Sequence, residues 1–303
     1  MIAVTRCFIS PEDLFPLIHS FESTSTMHVV QHSILSKAFY VLCICLSFTA
    51  QANDDSIGHL LDDVIEGPHR TEENRGRDRY RRPRETLMFF GLRENMTVIE
   101  ISPANGWYTE IIAPIVSKQG KFIGSPPMLT ADTPESFKRR DTAYKTMVAS
   151  DPLLYGGATI LNFDLQNPVF GTAGSADMVL TFRNVHNWAK AGTTDSMFQA
   201  FHTALKKGGV LGVVEHRARP GTSFQRQIDS GYMTEEYVIE AATQAGFKLA
   251  ASSDINYNPK DTTDHPGGVW NLPPNLRGVA EKDKAKYLAI GESDRMTLKF
   301  VKQ

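Results

Sequence analysis

Apolar runs and amphipathic stretches alternate along this chain from Thr97 to its end, and that alternation constrains the fold more than any other feature. Thr97 to Ile101 (TVIEI) reads as a buried strand, and Trp107 to Val116 as a helix bent at Pro114. Lys121 to Gly124 is a short strand. A helix then runs from Asp132-Thr133-Pro134-Glu135, a capping residue with a first-turn proline, to about Ala149. Ala158 to Phe163 and Asp177 to Phe182 read as strands. Thr194 to Lys206 is an amphipathic helix stopped by Gly208-Gly209, and Val210 to Val214 is a strand. Thr234 to Ala245 is a helix closed by Gly246, before a strand over Phe247 to Ala251. After a long loop come a short helix, Glu281 to Ile290, and a last strand, Met296 to Val301. Parallel strands need crossover helices, so the order predicts an α/β protein with a doubly wound, mostly parallel sheet. The last strand alternates in polarity, which suits an antiparallel position.

The segment before this pattern has a different character. Ala38 to Ala50 holds thirteen residues without a charge, preceded by Lys37 and followed by Gln51-Ala52 and Asn53-Asp54-Asp55. A basic residue, a short apolar run and an Ala-x-Ala site form the pattern of a signal peptide, with cleavage expected after Ala52. The run is shorter than the about 20 residues of a membrane span. Residues 1–26 read as an upstream extension from a misplaced start, since Met27 gives a more usual leader length. Three parts follow: residues 1–52 as leader and signal peptide, 53–90 as an N-terminal helical extension, and 91–303 as the α/β domain. The expected location is the periplasm or the exterior, with no membrane partner after cleavage.

All three cysteines (Cys7, Cys43, Cys45) lie in the leader, so the remainder can build no disulfide, thiolate zinc site or cysteine nucleophile. The net charge of -2 offers no basic field for nucleic acid. Arginines nonetheless crowd between Gly67 and Phe90: Arg70, Arg75, Arg77, Arg79, Arg81, Arg82 and Arg84, among Glu72, Glu73, Asp78 and Glu85. Two readings stand: a solvated helical face with weak ion pairs, or an arginine-bearing lid that meets an anionic ligand. Pro83 divides the segment into two short helices.

Ligands of open α/β sheets lie at the carboxyl ends of the strands. After the first strand the chain reads Glu100-Ile101-Ser102-Pro103-Ala104-Asn105-Gly106-Trp107-Tyr108, an acid, a tight loop and a helix start. Asn105 and Gly106 are the residues best suited to positive φ. The run ETLMFFGLRENMTVIEISPANGWYTEIIAP resembles the first motif of class I S-adenosylmethionine-dependent methyltransferases. It is more closely similar to a group of exported bacterial methyltransferases, with RDxYRxPxETL and ExxPGxGWYTEILAP matched at Arg77 to Leu87 and Glu100 to Pro114. The similarity continues at Phe182 to Trp188, Asp264-His265-Pro266 and Gly291 to Met296.

This resemblance implies a seven-stranded, Rossmann-like sheet whose last-but-one position holds the antiparallel strand. It implies S-adenosyl-L-methionine as cofactor and a small molecule as methyl acceptor. Glu100 and the loop Ser102, Pro103, Ala104, Asn105 and Gly106 would border the methionine part. Asp164 would sit beside the adenine, and Phe182, Arg183 and Asn184 would floor the site. Ala104-Asn105 departs from the glycine-rich pattern, and Gly124-Ser125-Pro126-Pro127 carries no acid for the ribose.

His186, His216 and His265 fall at or near the carboxyl edge and are the candidate acid–base residues. Asn184 and Asn187 are candidates to hold the His186 ring. Glu215-His216 and Asp264-His265 are possible metal ligands by type, but their spacing matches no metalloprotease helix, and no metal is expected. Trp107, Trp188 and Trp270 are either core or an aromatic wall for a ligand. Methyl transfer to a small molecule is the leading function. The alternatives are a binding protein that kept the fold, and a histidine- or metal-dependent hydrolase.

Overall fold

The computed structural model describes residues 56–303. The segment expected to be a signal peptide, its expected cleavage site and the three cysteines lie outside the described residues. Residues 56–303 fall in one compact unit, and the N-terminal helices belong to it. These are α1 (residues 56–65), α2 (Glu72–Arg75), α3 (Asp78–Arg81) and α4 (Pro83–Phe90). Thr71 caps α2 by accepting from the Asn74 amide, and Pro83 opens α4. Leu87 and Phe90 of α4 are fully buried against the sheet.

Seven strands follow: β1 (Thr97–Ile101), β2 (Lys121–Ser125), β3 (Ala158–Ile160), β4 (Ala176–Phe182), β5 (Leu205–His216), β6 (Phe247–Ser253) and β7 (Arg295–Lys302). Their order in the sheet is β3-β2-β1-β4-β5-β7-β6. All neighbours are parallel except β7, which runs antiparallel to both β5 and β6. The α/β doubly wound sheet expected from the alternation is present, with its antiparallel strand one place in from the edge. Helices α5 (Thr109–Val116), α6 (Glu135–Ser150), α7 (Pro152–Tyr155), α8 (Val185–Ala191), α9 (Thr194–Ala204), α10 (Phe224–Ser230), α11 (Glu235–Gln244) and α12 (Lys284–Ile290) fill the connections.

Side chains of period two divide the core between the faces. Val98 of β1 and Met178 and Leu180 of β4 meet α4 and α5. Ile99, Ile101 and Val179 meet the opposite layer, with Phe198 and Phe201 of α9 and Val238 of α11. Glu100 shares the parity of Val98, so its carboxyl is carried to the α4–α5 side.

Several boundaries differ from the sequence expectation. β2 ends at Ser125 because Pro126 and Pro127 have no amide for the ladder. β3 closes at Ile160 rather than Phe163. Helix α9 ends at Ala204, since Leu205 already has an extended backbone (ψ 143), and Gly208 and Gly209 fall inside the irregular start of β5. Helix α5 begins at Thr109, two residues later than the aromatic pair suggests.

Candidate functional site

The carboxyl ends of β1, β4 and β5 meet the amino end of β7 at one edge, and the chemistry-bearing residues converge there. After β1 the loop takes left-handed φ at Ser102 (50°), Ala104 (55°) and Gly106 (81°). This corrects the expectation for Asn105, which is not left-handed: the turn puts the strain on every second residue. Two of these three left-handed positions, Ser102 and Ala104, carry a Cβ. Left-handed backbone in a non-glycine residue is uncommon and costs of order 1 kcal/mol or more. The loop is pinned by the Ser102 amide on the Ser125 carbonyl (2.8 Å) and the Gly106 amide on the Pro103 carbonyl (2.9 Å). Ala104 and Asn105 are exposed at its tip.

Glu100 is 2% exposed and accepts from Thr109 Oγ1 at 2.5 Å. Burial pushes its carboxyl up to about 8; the Thr109 bond opposes this and Glu110 adds to it. Tyr144 of α6 packs alongside, its hydroxyl 3.4 Å from Thr109 Oγ1. A Cβ at Gly124 would lie 1.9 Å from that hydroxyl, so Tyr144 fills the space at the end of β2. A Cβ at Gly106 would lie 2.4 Å from Met147 Cε.

The arginine segment is a solvated face only in part: Arg75, Arg79 and Arg82 are exposed, while Arg70 and Arg81 are buried. Arg70 is fully buried and pairs with Asp78 (2.7 Å) and Glu110 (2.8 Å). Arg81, 1% exposed, turns inward over the Trp107 ring at 4.5 Å. Four guanidinium groups surround one carboxylate, Glu292: Arg77 at 2.7 Å, Arg81 at 3.1 Å, Arg295 at 3.2 Å and Arg183 at 3.9 Å. Burial opposes ionisation of Glu292, yet Arg81, Arg295, Arg183 and Arg77 together hold it well below the usual carboxylate range. Burial, then the neighbouring Arg183, lower Arg81 to about 9. The two terminal nitrogens of Arg81 are buried and make no hydrogen bond. Arg183 holds φ +63°, with its amide on the Val214 carbonyl at 2.7 Å.

His186 and His216 come together, ring centroids 5.3 Å apart. His186 Nδ1 lies 3.0 Å from Glu215 Oε1, and the His186 amide donates to Glu215 Oε2 at 3.3 Å. The imidazole is thus held by Glu215 and not by Asn184. Asn184 instead donates to the Ile101 carbonyl (3.1 Å) and Thr181 Oγ1 (3.0 Å), tying the ends of β1 and β4. A carboxylate only accepts, so Nδ1 carries the proton and Nε2 is left as the base. His216 Nδ1 lies 2.6 Å from Ser293 Oγ. Burial first, then His186, Arg183, Arg295 and Arg81, keep His216 neutral well below its ordinary range.

His186, Glu215 and His216 place one ligand atom each within 4.8 Å of one another, a set that resembles a metal triad. The field of Arg81, Arg183 and Arg295 that suppresses a proton on His216 acts equally against a divalent cation.

The other sequence candidates are dispersed. His265 Nε2 lies 2.9 Å from Asp261 Oδ1, and Asp261 also takes the Tyr232 hydroxyl (3.0 Å) and the Asp294 amide (2.7 Å). It belongs to a separate polar cluster in the long loop. Asp164 is exposed after β3 and caps its own turn through the Gln166 amide at 2.9 Å. Trp188 packs in the core against Phe198 and Phe201. Trp107 lies between Arg81 and Tyr108, and Trp270 stands edge-on to His186 at 6.1 Å. Tyr108 in turn stacks on Phe182 at 3.5 Å. Glu215 was named in the sequence only as a possible metal ligand and Arg81 only as one of the crowded arginines; Glu292 and Arg295 had no role assigned to them. The signal for Glu292 and Arg295 was their place in the Gly291 to Met296 run.

No family model matches the chain, and no curated protein does. Solved structures do match. The cyclase SpnF shares a TM-score of 0.50 at 13% identity, over 78% of this chain and 85% of its own. A SAM-dependent methyltransferase from Aquifex aeolicus gives 0.48 at 16% identity, over 60% and 87%. An S-adenosylmethionine-dependent methyltransferase from Mesorhizobium loti gives 0.44 at 14% identity, over 72% and 96%. The chain has a Rossmann-like, methyltransferase-type fold, with the seven-stranded order described above. That fold alone does not fix an activity, as a cyclase among its bearers illustrates.

Proposed function

We propose that this chain, exported and freed of its signal peptide, transfers a methyl group from S-adenosyl-L-methionine to a small molecule. The observation that carries the reading is the loop after β1. Its backbone is left-handed at residues 102, 104 and 106, directly after a buried acid and before a helix. Alanine and serine pay strain to keep a glycine shape, and such strain persists where the loop shape is used.

The residues fit the cofactor in charge as well. Glu100 is short of polar partners for an ionised form, and an ammonium group beside it supplies one. When bound, the cofactor supplies an electrophilic methyl group. His186 would accept the acceptor's proton at Nε2, with Glu215 fixing the tautomer and orientation of the ring. His216, kept neutral, is the second base candidate. Phe182 and Tyr108 wall the site with stacked rings that exclude water. Asp164 would sit beside the adenine, and His265, held by Asp261 in its own cluster, is the third base candidate.

A second reading, a binding protein without transfer activity, draws on Tyr144 filling the space at Gly124, where the ribose acid is missing. A calorimetric titration of the protein with S-adenosylmethionine and its demethylated product tests the first reading. Saturable binding of both supports it; binding of neither overturns it. Binding without turnover over a panel of acceptors favours the second.

A further inference from the structure

We propose that the buried arginine cluster at the carboxyl edge seats an oxyanion, the carboxylate or phosphoryl group of the methyl acceptor. The anion site stands on the structure itself, while its role for an acceptor rests on the methyl-transfer reading above.

Charge is the first argument. Arg77, Arg81, Arg183 and Arg295 face the single carboxylate of Glu292, which leaves an excess of three positive charges. Buried charge without a counter-charge is strongly unfavourable, and proteins retain it where a ligand completes it.

Hydrogen bonding is the second, independent argument. Arg295 is satisfied: its guanidinium reaches Glu292, the Ser293 carbonyl and the Tyr80 carbonyl. Arg81 is not. Its Nε is spent on Glu292 while both terminal nitrogens lack any partner at 1% exposure. A planar fork of free N–H donors matches two oxygens of a carboxylate or phosphoryl group.

Access and neighbours fit as well. Arg183 and Arg77 form the rim, with side chains 26% and 21% exposed, so an anion reaches Arg81 by displacing them. Arg183 projects from a left-handed residue directly after β4, a costly backbone state that aims its side chain at the cluster. His186 Nε2 and His216 lie on the same edge, near enough that Arg81, Arg183 and Arg295 bear on His216. An acceptor anchored here by its anionic end is presented to these imidazoles. A cationic acceptor is repelled by the same field.

The test is isothermal titration of the full chain with inorganic phosphate and, separately, with acetate. It is run at constant ionic strength in chloride, with and without S-adenosylhomocysteine. Saturable one-site binding is expected, weakened at least tenfold in Arg81→Met and in Arg183→Met, and unchanged in Arg219→Met, which lies outside the cluster. Near-UV circular dichroism establishes that each variant is folded; Arg183→Met, at the rim, keeps the test valid should Arg81→Met not fold. Preference for phosphate assigns a phosphoryl group, and preference for acetate a carboxylate. No binding of either anion by the folded wild type, with or without the homocysteine product, overturns the proposal. So does binding that both arginine variants retain. Phosphate binding without any cofactor binding leaves the anion site standing and removes only the methyl-transfer reading.

Discussion

Glu100→Gln should make this protein more stable at neutral pH and a poorer binder of its cofactor. Glu100 sits at the end of β1 at 2% exposure, and burial raises its carboxyl from 4.5 to about 8. Between those values the folded state holds a proton that the unfolded chain has released. Stability therefore falls as pH rises through the window from 4.5 to about 8, with a limiting slope of about 1.4 kcal/mol per pH unit. Glutamine has the same shape, accepts from Thr109 and never ionises. The variant's advantage over wild type should widen by roughly 2 kcal/mol between pH 5 and pH 7, then level off above pH 8. Other titrating groups shape both curves alike, so the difference isolates Glu100. Urea unfolding at a series of pH values reads it directly, with an unchanged m-value as the check that both proteins unfold in the same way. Cofactor affinity should meanwhile drop by about 1.5–3 kcal/mol if the carboxylate meets an ammonium group. A stability difference that does not change between pH 5 and pH 8 would refute the reasoning, because Glu100 would then titrate as it does in the unfolded chain.

Four further outcomes are expected. At pH 7 Glu100 holds most of a proton, so binding S-adenosylhomocysteine should release up to about 0.9 proton, seen as a difference in binding heat between Pipes and Tris buffers; equal heats after correction contradict this. Arg81→Met should unfold at higher urea than wild type, because a buried cation with two unsatisfied nitrogens leaves while Arg77, Arg183 and Arg295 still face Glu292; a midpoint below that of wild type contradicts it. His186→Ala should lower turnover by roughly 10²–10⁴ while cofactor affinity stays within twofold; early melting with full turnover at low temperature makes His186 structural. Mass spectrometry of the exported protein should find Asn53 at the N-terminus, and an intact Met27 there would contradict cleavage after Ala52.

The fold was legible because its signals are local. Apolar runs such as TVIEI and MTLKFV, separated by amphipathic helices with caps and glycine stops, state which face of each element is buried. Those periodicities are set by backbone geometry, so they survive without knowledge of neighbours. The loop after β1 was legible as a place but not as a shape. Sequence preference favours Asn105 for positive φ, whereas the Ser102–Ser125 and Pro103–Gly106 hydrogen bonds impose it on Ser102 and Ala104. Tertiary bonding outweighs an intrinsic preference of about 1–2 kcal/mol.

The site's chemistry was decided at longer range. The sequence alone placed His186 and His216 at the sheet edge and marked an arginine-rich segment near the start of the α/β unit. Only the folded chain showed that Glu215 holds His186, that Arg70 and Arg81 turn inward, and that Arg81 meets Glu292 across 211 residues. A buried arginine and a solvated one look the same in a sequence, because the residue type does not say which way it faces. That is settled by the antiparallel run of β7, which brings Glu292 and Arg295 to the carboxyl edge of β4 and β5, where Arg81 and Arg183 already stand.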